Sequence, residues 1–512
     1  PSFDLMQRAG AAATAVILRD YADRLASGVA LVAGSGNNGG DAYLVAAQLA
    51  RAGVTVRLHA AALPSTPDAQ RASRLASPAL VHGDPTGHER LVIDGVLGTG
   101  HRGALREQAA AACLRMALLR DAGAAVIALD LPSGLDATSG AVAIGSVPAQ
   151  ATLSFGTFKR GQLLRRDHVG RLVLLDIGLD GFADRVGHDG DDDGAWSWAD
   201  RSSLAAPVPP LPWDAHKGTR GRIAIIGGDA GMAGAVVLAT RAALTAGAGL
   251  AHAIVHEASV PALQASVPQA ITHRWPPVLA SRRSDQSDAA ADTPVYDAIA
   301  VGPGLGRSRE SAQLLERLLQ VHRGVPLVLD ADALFLAAEQ ASALGTDAAS
   351  LLRHWTRETT HTVCTPHPGE FARLLGRPLP EAWDDRAALL AEFSRRAGCT
   401  VLLKGAPTLV AHDRDPLVAV PYGTPLLSTG GSGDCLTGII VTLLGQGLRA
   451  SEAAIVGAGV HGLAAEHATR TLGQVRGGTL DDLLAAMPAT WRALASPTPL
   501  APGVLAELPA VS

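Results

Sequence analysis

Thr429-Gly430-Gly431-Ser432-Gly433-Asp434 is the stretch of this chain best suited to chemistry. It follows a strand-and-turn pattern over 417–427 and precedes an apolar, small-residue segment, 435–444, that reads as a helix. A glycine-rich turn opening a helix presents unpaired N–H groups and the positive end of the helix dipole, which together make an anion hole. A carboxylate has no use there as a phosphate ligand. Asp434 fits a general base that takes a proton from a hydroxyl, while the hole stabilises charge on a transferring phosphoryl group. The plainer reading is a capping aspartate. Three glycines and a serine in the same turn argue against it.

A second constellation lies in the first half. Gly34-Ser35-Gly36-Asn37-Asn38-Gly39-Gly40-Asp41 follows a strand-like run and opens a helix. It contains G-x-G-x-x-G, but His59 and Ala60, not an acid, end the next strand, so a standard NAD site is disfavoured. Asn37, Asn38 and Asp41 put amide and carboxylate groups where a dinucleotide loop uses only backbone. Asp94-Gly95-Val96-Leu97-Gly98-Thr99-Gly100 closes a third strand, and Asp130-Leu131-Pro132-Ser133-Gly134-Leu135-Asp136 a fourth. Three acid- or amide-bearing loops meeting at one sheet edge suit a monovalent or divalent cation, or acid/base work. The chain has only three lysines, Lys159, Lys217 and Lys404, against forty arginines. Where arginine is the default cation, a retained lysine points to a need for a compact ammonium.

The elements that must position these loops read as α/β. Strand-like runs end in glycine or aspartate, and Ala/Leu/Arg-rich amphipathic segments follow them. In the first half they are Val29–Ala33, Val54–His59, Leu91–Asp94, Ala125–Asp130 and Arg171–Asp176. In the second they are Arg222–Ile226, Ala251–Val255, Ala298–Val301, Pro326–Asp330, Thr362–Thr365 and Thr400–Lys404. That order predicts parallel sheets with right-handed crossovers and ligands at the carboxyl ends of strands. The expected organisation is two parallel-sheet, three-layer domains over 1–180 and 214–496. A linker over 181–213, rich in Asp, Gly and Pro, joins them, and a frayed tail covers 497–512. A polar insertion at 281–293 reads as a loop.

Composition narrows the class. With 512 residues, 47% hydrophobic and 18% charged, each half can bury its own core. A net charge of −5 gives no basic footprint for nucleic acid. Four scattered cysteines without a CxxC pair argue for a reducing, cytoplasmic setting and against a zinc site or disulfide frame. No apolar run is long enough to span a membrane, and no signal peptide is visible.

On these residues the chain resembles a known pair of families. GSGNNGGD, the loops DGVLGTG and DLPSGLDATSG, and TLSFGTFKRG at 152–161 resemble the NAD(P)H-hydrate epimerase domain, which is Rossmann-like. The second half resembles the ADP-dependent NAD(P)H-hydrate dehydratase of the ribokinase-like superfamily. It does so through HKGTRG at 216–221, GMAGAVVLATRAALTAGAGL at 231–250, GPGLG at 302–306, DADAL at 330–334, TPHPGE at 365–370, KGAPT at 404–408 and TGGSGDCLTG at 429–438.

The resemblance implies a bifunctional repair enzyme for hydrated NADH and NADPH. The first half would interconvert the R and S hydrates. The second would dehydrate the S form, consuming ADP or ATP, with magnesium accompanying the nucleotide. By the same resemblance, Asn37, Asn38, Gly39, Gly40 and Asp41, with Gly98, Thr99, Gly100, His101, Arg102, Gly103 and Ala104, would hold the epimerase substrate. Asp130 would act as its acid/base, and Asn38, Asp94 and Ser133 would ligate a potassium ion. In the dehydratase, Ala235, Gly304, His367 and Asp434 would meet the substrate. Lys404, Gly405, Ala406, Pro407 and Thr408, with Gly430, Gly431 and Gly433, would hold the nucleotide. A homo-oligomer that binds only small molecules, neither nucleic acid nor membrane, is implied too. The alternative is a ribokinase-like vitamin kinase carrying a non-catalytic binding domain. Asp41, Asp94, Asp130 and Ser133, all present, speak against an idle first half.

Overall fold

The protein, described here by a computed structural model over residues 2–76, 81–179, 196–275, 296–359 and 361–511, forms two compact units. One comprises residues 1–192 with 498–512, the other 193–497.

In the first unit, β1 (Val29–Ala33), β2 (Val56–Ala60), β3 (Val81–His82), β4 (Leu91–Gly95), β5 (Ala125–Leu129), β6 (Ala151–Phe155) and β7 (Arg171–Leu175) lie in the order β7-β6-β5-β4-β1-β2-β3, all parallel. Every residue of β1, β4 and β5 is buried, because helices cover both faces of a parallel sheet. Leu31, Ile93 and Ile127 pack on one side with Met6, Ile17 and Leu49 from the helices Ser2–Asp20 and Asn37–Arg51. The alternate residues Val32, Val92 and Val126 pack on the other with Cys113 and Met116 from the helix Glu107–Asp121. The chain winds outward from β1 to β3, then crosses back to β4. The loops after β1 and β4 therefore diverge and open a crevice at a topological switch point.

The second unit holds β8 (Trp196–Trp198), β9 (Arg222–Gly227), β10 (Leu250–Val255), β11 (Ile271–Arg274), β12 (Ala298–Val301), β13 (Leu327–Leu329), β14 (Thr362–Cys364), β15 (Thr400–Leu403), β16 (Thr408–Ala411) and β17 (Leu417–Val420). Their order is β11-β10-β9-β12-β13-β14-β15-β16-β17-β8, with the switch point between β9 and β12. The sheet is parallel, as expected, except at one end. β15–β16 and β16–β17 are antiparallel, because the connection at 404–407 is too short for a helical crossover and closes as a hairpin. The helix Ser432–Gly445 is apolar all round and buries Ile439, Ile440, Val441 and Leu443 in the centre of the unit. No helix among the described residues is long and apolar enough to cross a membrane.

Two expectations need correction. The segment over 181–213 is not all linker. Trp196–Trp198 adds a parallel edge strand to β17, and Asp200 caps the short helix Arg201–Ala205. Residues 180–195, with Asp191 to Asp193, and the insertion at 281–293 lie outside the described residues. Nor is the tail frayed. Its Val504–Leu508 forms β18, antiparallel to β7, in the first unit. Val504 and Leu508 are buried, and Glu507 between them takes Arg171 at 2.8 and 3.0 Å. Arg171 also donates to Asp20 at 2.6 Å, and Arg166 donates to the Pro509 carbonyl. The tail thus closes the β7 edge and ties it to the first helix.

Deleting 498–512 should therefore destabilise the first unit, by about 1.5–3 kcal/mol for each of Val504 and Leu508 no longer buried. All seven tryptophans lie between 196 and 491, so their fluorescence reports the second unit alone. Calorimetry of the truncated protein should show a lowered transition that tryptophan fluorescence does not follow. Coincident shifts in both signals would refute the assignment.

Candidate active sites

In the first unit, the loops after β1, β4 and β5 enclose a cavity of about 730 Å³. Asn37, Asn38, Asp41, Gly98, Thr99, Gly100, His101, Arg102, Ala104 and Asp130 line it. Three anticipated residues do not. Gly40 faces Met6 and Ala69 in the core, and Gly39 packs on the Gly34 carbonyl. A side chain at Gly39 would sit 2.0 Å from that oxygen, so glycine there serves the turn. Gly103, in the left-handed region at φ 72°, is likewise absent from the wall.

Asp130 ends β5 with φ 60°, an uncommon conformation for a non-glycine residue. Its carboxylate is ion-paired with Lys159 and accepts from the Phe155 N–H at 3.1 Å. Lys159 also donates to Ser154 Oγ at 3.2 Å and to the Phe155 carbonyl at 3.1 Å. Gln162 donates to the Asp130 carbonyl at 2.6 Å. Across the cavity, burial and the charge of Asp130 push the Asp41 carboxyl well above its usual range, with Lys159 opposing. The cavity thus holds one carboxyl that favours its proton and one tied to an ammonium. Motif reading gave Lys159 no partner. The scarcity of lysine was the available signal.

Asp94 and Ser133 lie beneath this floor, each 1% exposed. Asp94 accepts from Ser133 N at 2.7 Å, Ser133 Oγ at 2.5 Å and Val96 N at 3.1 Å. Burial raises its carboxyl despite these bonds. Asn38 donates to the Leu97 carbonyl at 2.8 Å, and its own Oδ1 is buried without a hydrogen-bond partner among the described residues. Leu97 links the two groups, its carbonyl accepting from Asn38 and its N–H donating to Ser133 Oγ at 2.8 Å. That donor set of amide, hydroxyl and one carboxylate suits a large monovalent cation better than a divalent one. Among the described residues, no three His, Cys, Asp or Glu side chains are grouped to hold a metal ion.

In the second unit, Asp434 lies in the first turn of the helix Ser432–Gly445, entered through Gly431 at φ 92°. The first turn of a helix leaves N–H groups to be satisfied by a ligand. Lys404, at the end of β15, donates to Asp330 at 2.7 Å, and Thr437 from the same helix donates to the other Asp330 oxygen at 2.7 Å. A side chain at Gly433 would begin 3.0 Å from Lys404 Nζ. Burial, then the charge of Asp330, push the Asp434 carboxyl up to about 7, while Lys404 opposes. Under the turn, Ser432 Oγ lies 3.3 Å from Nε2 of the buried His461, whose ring burial and Lys404 lower to about 4. Sequence reading gave roles to neither Asp330, Thr437 nor His461, since their nearness is purely tertiary.

The residues anticipated on the substrate side lie on the segments that follow β9, β12 and β14. Gly304, at φ 56°, brings its backbone against Met232 and Ala235, and a side chain there would meet the Met232 carbonyl at 2.8 Å. Its neighbour Gly306 donates from N–H to Asp332 at 3.0 Å. His367 is exposed and not a core histidine. It caps the helix Pro368–Leu375, accepting from Gly369 N–H at 3.0 Å through Nδ1, with Nε2 3.5 Å from Glu370. Gly405, Ala406, Pro407 and Thr408 form the β15–β16 turn, where a side chain on Gly405 would lie 3.7 Å from the Trp383 ring. Gly430 and Gly431 precede the helix.

A family model described as NAD(P)H-hydrate dehydratase matches residues 223–488, and one described as YjeF-related protein N-terminus matches residues 2–161. A bifunctional NAD(P)H-hydrate repair enzyme of Moorella thermoacetica is 34% identical over 96% of this chain and 93% of its own. That of Escherichia coli is 34% identical over 91% of this chain and 85% of its own. Among solved structures, an ADP/ATP-dependent NAD(P)H-hydrate dehydratase from Bacillus subtilis, co-crystallised with ATP and Mg2+, is 26% identical. It covers 59% of this chain and 99% of its own at a TM-score of 0.48. With both halves matched in one chain, and the mouth of each sheet built as described, the protein belongs to the family of bifunctional NAD(P)H-hydrate repair enzymes.

Proposed function

We propose that this chain repairs hydrated NADH and NADPH, its first unit epimerising the R and S hydrates and its second dehydrating the S form. The observation that carries the reading is Asp434 in the first turn of a helix entered through glycine, beside the Lys404–Asp330 pair to which Thr437 of the same helix is bonded. A base near neutrality and an anion hole thus lie together, and the Gly304–Ala235 approach offers a surface for the substrate.

In the dehydratase, Asp434 removes the proton of the C6 hydroxyl. The oxygen attacks the terminal phosphorus of ADP or ATP, and AMP or ADP departs. Lys404 and the N–H groups of Gly430, Gly431 and Gly433 take up the charge on the phosphoryl oxygens. Asp330, fixed by Thr437, holds the ammonium in place. The ring nitrogen then expels phosphate from C6, and loss of a C5 proton restores the reduced ring. Magnesium enters with the nucleotide. Lys404 through Thr408 cradle that nucleotide, and His367 contacts the substrate beside Gly304 and Ala235.

In the epimerase, the wall of Asn37, Asn38, Asp41, Gly98, Thr99, Gly100, His101, Arg102 and Ala104 receives the hydrated ring, with Gly39, Gly40 and Gly103 shaping its loops, and Asp130 moves its proton. Lys159 keeps Asp130 placed. Asn38, Asp94 and Ser133 would hold a potassium ion, which supplies fixed positive charge beneath the floor. The protein acts on small molecules as a homo-oligomer in the cytoplasm.

Asp434→Asn should slow dehydration by about 10²–10⁴-fold without unfolding the protein. A base with its midpoint at about 7 works only when ionised. The wild-type rate should therefore fall as pH drops below 7, and the Asn variant should lack that limb. Absorbance of the reduced ring, with S hydrate and ADP or ATP, follows both. Near wild-type turnover by Asp434→Asn would sink the mechanism.

Lys159→Met should slow conversion of R to S hydrate at least tenfold, an acid/base effect, and leave dehydration of pure S hydrate unchanged. Chromatographic separation of the two hydrates reads the first, ring absorbance the second. An unaffected epimerisation rate removes Lys159 from the site.

Asn38→Ala should abolish the advantage of potassium over a bulky organic cation in epimerisation, again leaving dehydration untouched. Equal wild-type rates in the two buffers would dispose of the cation assignment.

A further inference from the structure

The mechanism uses the opening between β12 and β15 and leaves a second cavity, of about 810 Å³, with no role. This cavity lies at the other side of the switch point, outside the ends of β9, β10 and β11. Its walls include Asp229 after β9, His256 after β10, Trp275 after β11, and Glu310, Leu314 and Arg317 from one face of the helix Arg309–Val321. The Trp275 and His256 rings meet edge to face, with centroids 6.1 Å apart, and make an aromatic corner. Leu314 supplies an apolar floor, and three carboxylates, Asp229, Glu257 and Glu310, and a guanidinium supply polar partners.

The cavity adjoins the reacting site. Asp229 N–H donates to the Gly304 carbonyl at 2.7 Å, and Gly228 N–H to the Pro303 carbonyl at 2.9 Å. The loop that walls the cavity is thus bonded to the saddle assigned to the substrate. The other direction is taken, because the β15 side carries Lys404 and the donor nucleotide.

We propose that this cavity binds the adenosine end of the hydrated dinucleotide. The inference rests on the dehydratase reading and deepens it. A hydrated nicotinamide dinucleotide with its ring at Asp434 must send its other half somewhere along the strand ends. From β13 to β11 is four strand spacings, about 19 Å, a span an extended dinucleotide crosses. The volume lies within the usual range for a small-molecule site. An adenine needs a flat aromatic partner and an apolar floor, which Trp275 and Leu314 offer. Its ribose hydroxyls need acceptors, which Asp229 and Glu310 offer.

The test compares two substrates of the same chemistry, hydrated NADH and hydrated reduced nicotinamide mononucleotide, which lacks the adenylate half. Dehydration is followed with ADP or ATP on the full chain. The variants are Trp275→Ala, which removes the aromatic wall, and Gln313→Trp, which fills the cavity from an exposed position on the same helix. Each should raise KM for the dinucleotide hydrate about tenfold, the scale of one base-stacking contact, and leave KM for the mononucleotide hydrate unchanged. Folding is checked by the mononucleotide activity itself. Equal effects on both substrates, or no effect on either, overturn the proposal. A wild-type protein inert on both hydrates overturns the dehydratase reading, and this inference with it.

Discussion

Each unit is organised around one ion pair, an aspartate ending a central strand held by a lysine from a neighbouring loop. In the first it is Asp130 with Lys159, in the second Asp330 with Lys404. These use two of only three lysines in the chain. Asp330 is 1% exposed. A carboxylate taken so far from water is tolerable only with a counter-charge and further hydrogen bonds, and removing one partner would strand the other. The ammonium suits both places because it is compact and can serve several acceptors at once, as Lys159 does with Asp130, Ser154 and the Phe155 carbonyl.

Beside each pair, burial and the fixed carboxylate charge together raise a second carboxyl. Asp41 is raised beside Asp130, and Asp434 beside Asp330. The pairing differs from what strand order alone implied. Asp94 and Asp130 end adjacent strands, which would place two carboxylates in conflict. Asp94 is instead sunk beneath the floor in the Ser133 hydrogen bonds, and the carboxyl that feels Asp130 comes from the helix opposite.

Both sites lie at a switch point of a parallel sheet, where diverging loops leave a crevice at the carboxyl ends of strands. The chain covers the remaining weak places economically. A hairpin and Trp196–Trp198 extend one sheet, and the last strand, which follows the second unit in sequence, closes the other. That final strand makes the first unit discontinuous in sequence, so its integrity depends on residues beyond position 497.

The glycine-rich turns before two helices, the strand ends carrying Asp94, Asp130 and Asp330, and the alternation of strands and helices were all legible in the sequence. Each is a local pattern, written by the geometry of a tight turn or by the apolar period of a buried strand. The same local logic located Asp434 and explains why its helix is apolar all round. What the tertiary structure alone decided is who stands beside whom. Lys404 meets Asp330 across 74 residues and Thr437 meets it across 107. Asp94 on one strand meets Ser133 from the loop after another, Leu97 joins the helical Asn38 to that serine, and Gly39 and Gly40 turn away from the cavity their neighbours line. The tail, five residues with only weak alternation, becomes a strand because β7 offers an unpaired edge and Arg171 a waiting charge. Partnerships of that kind depend on distances between strand ends, which the order of residues along the chain does not contain.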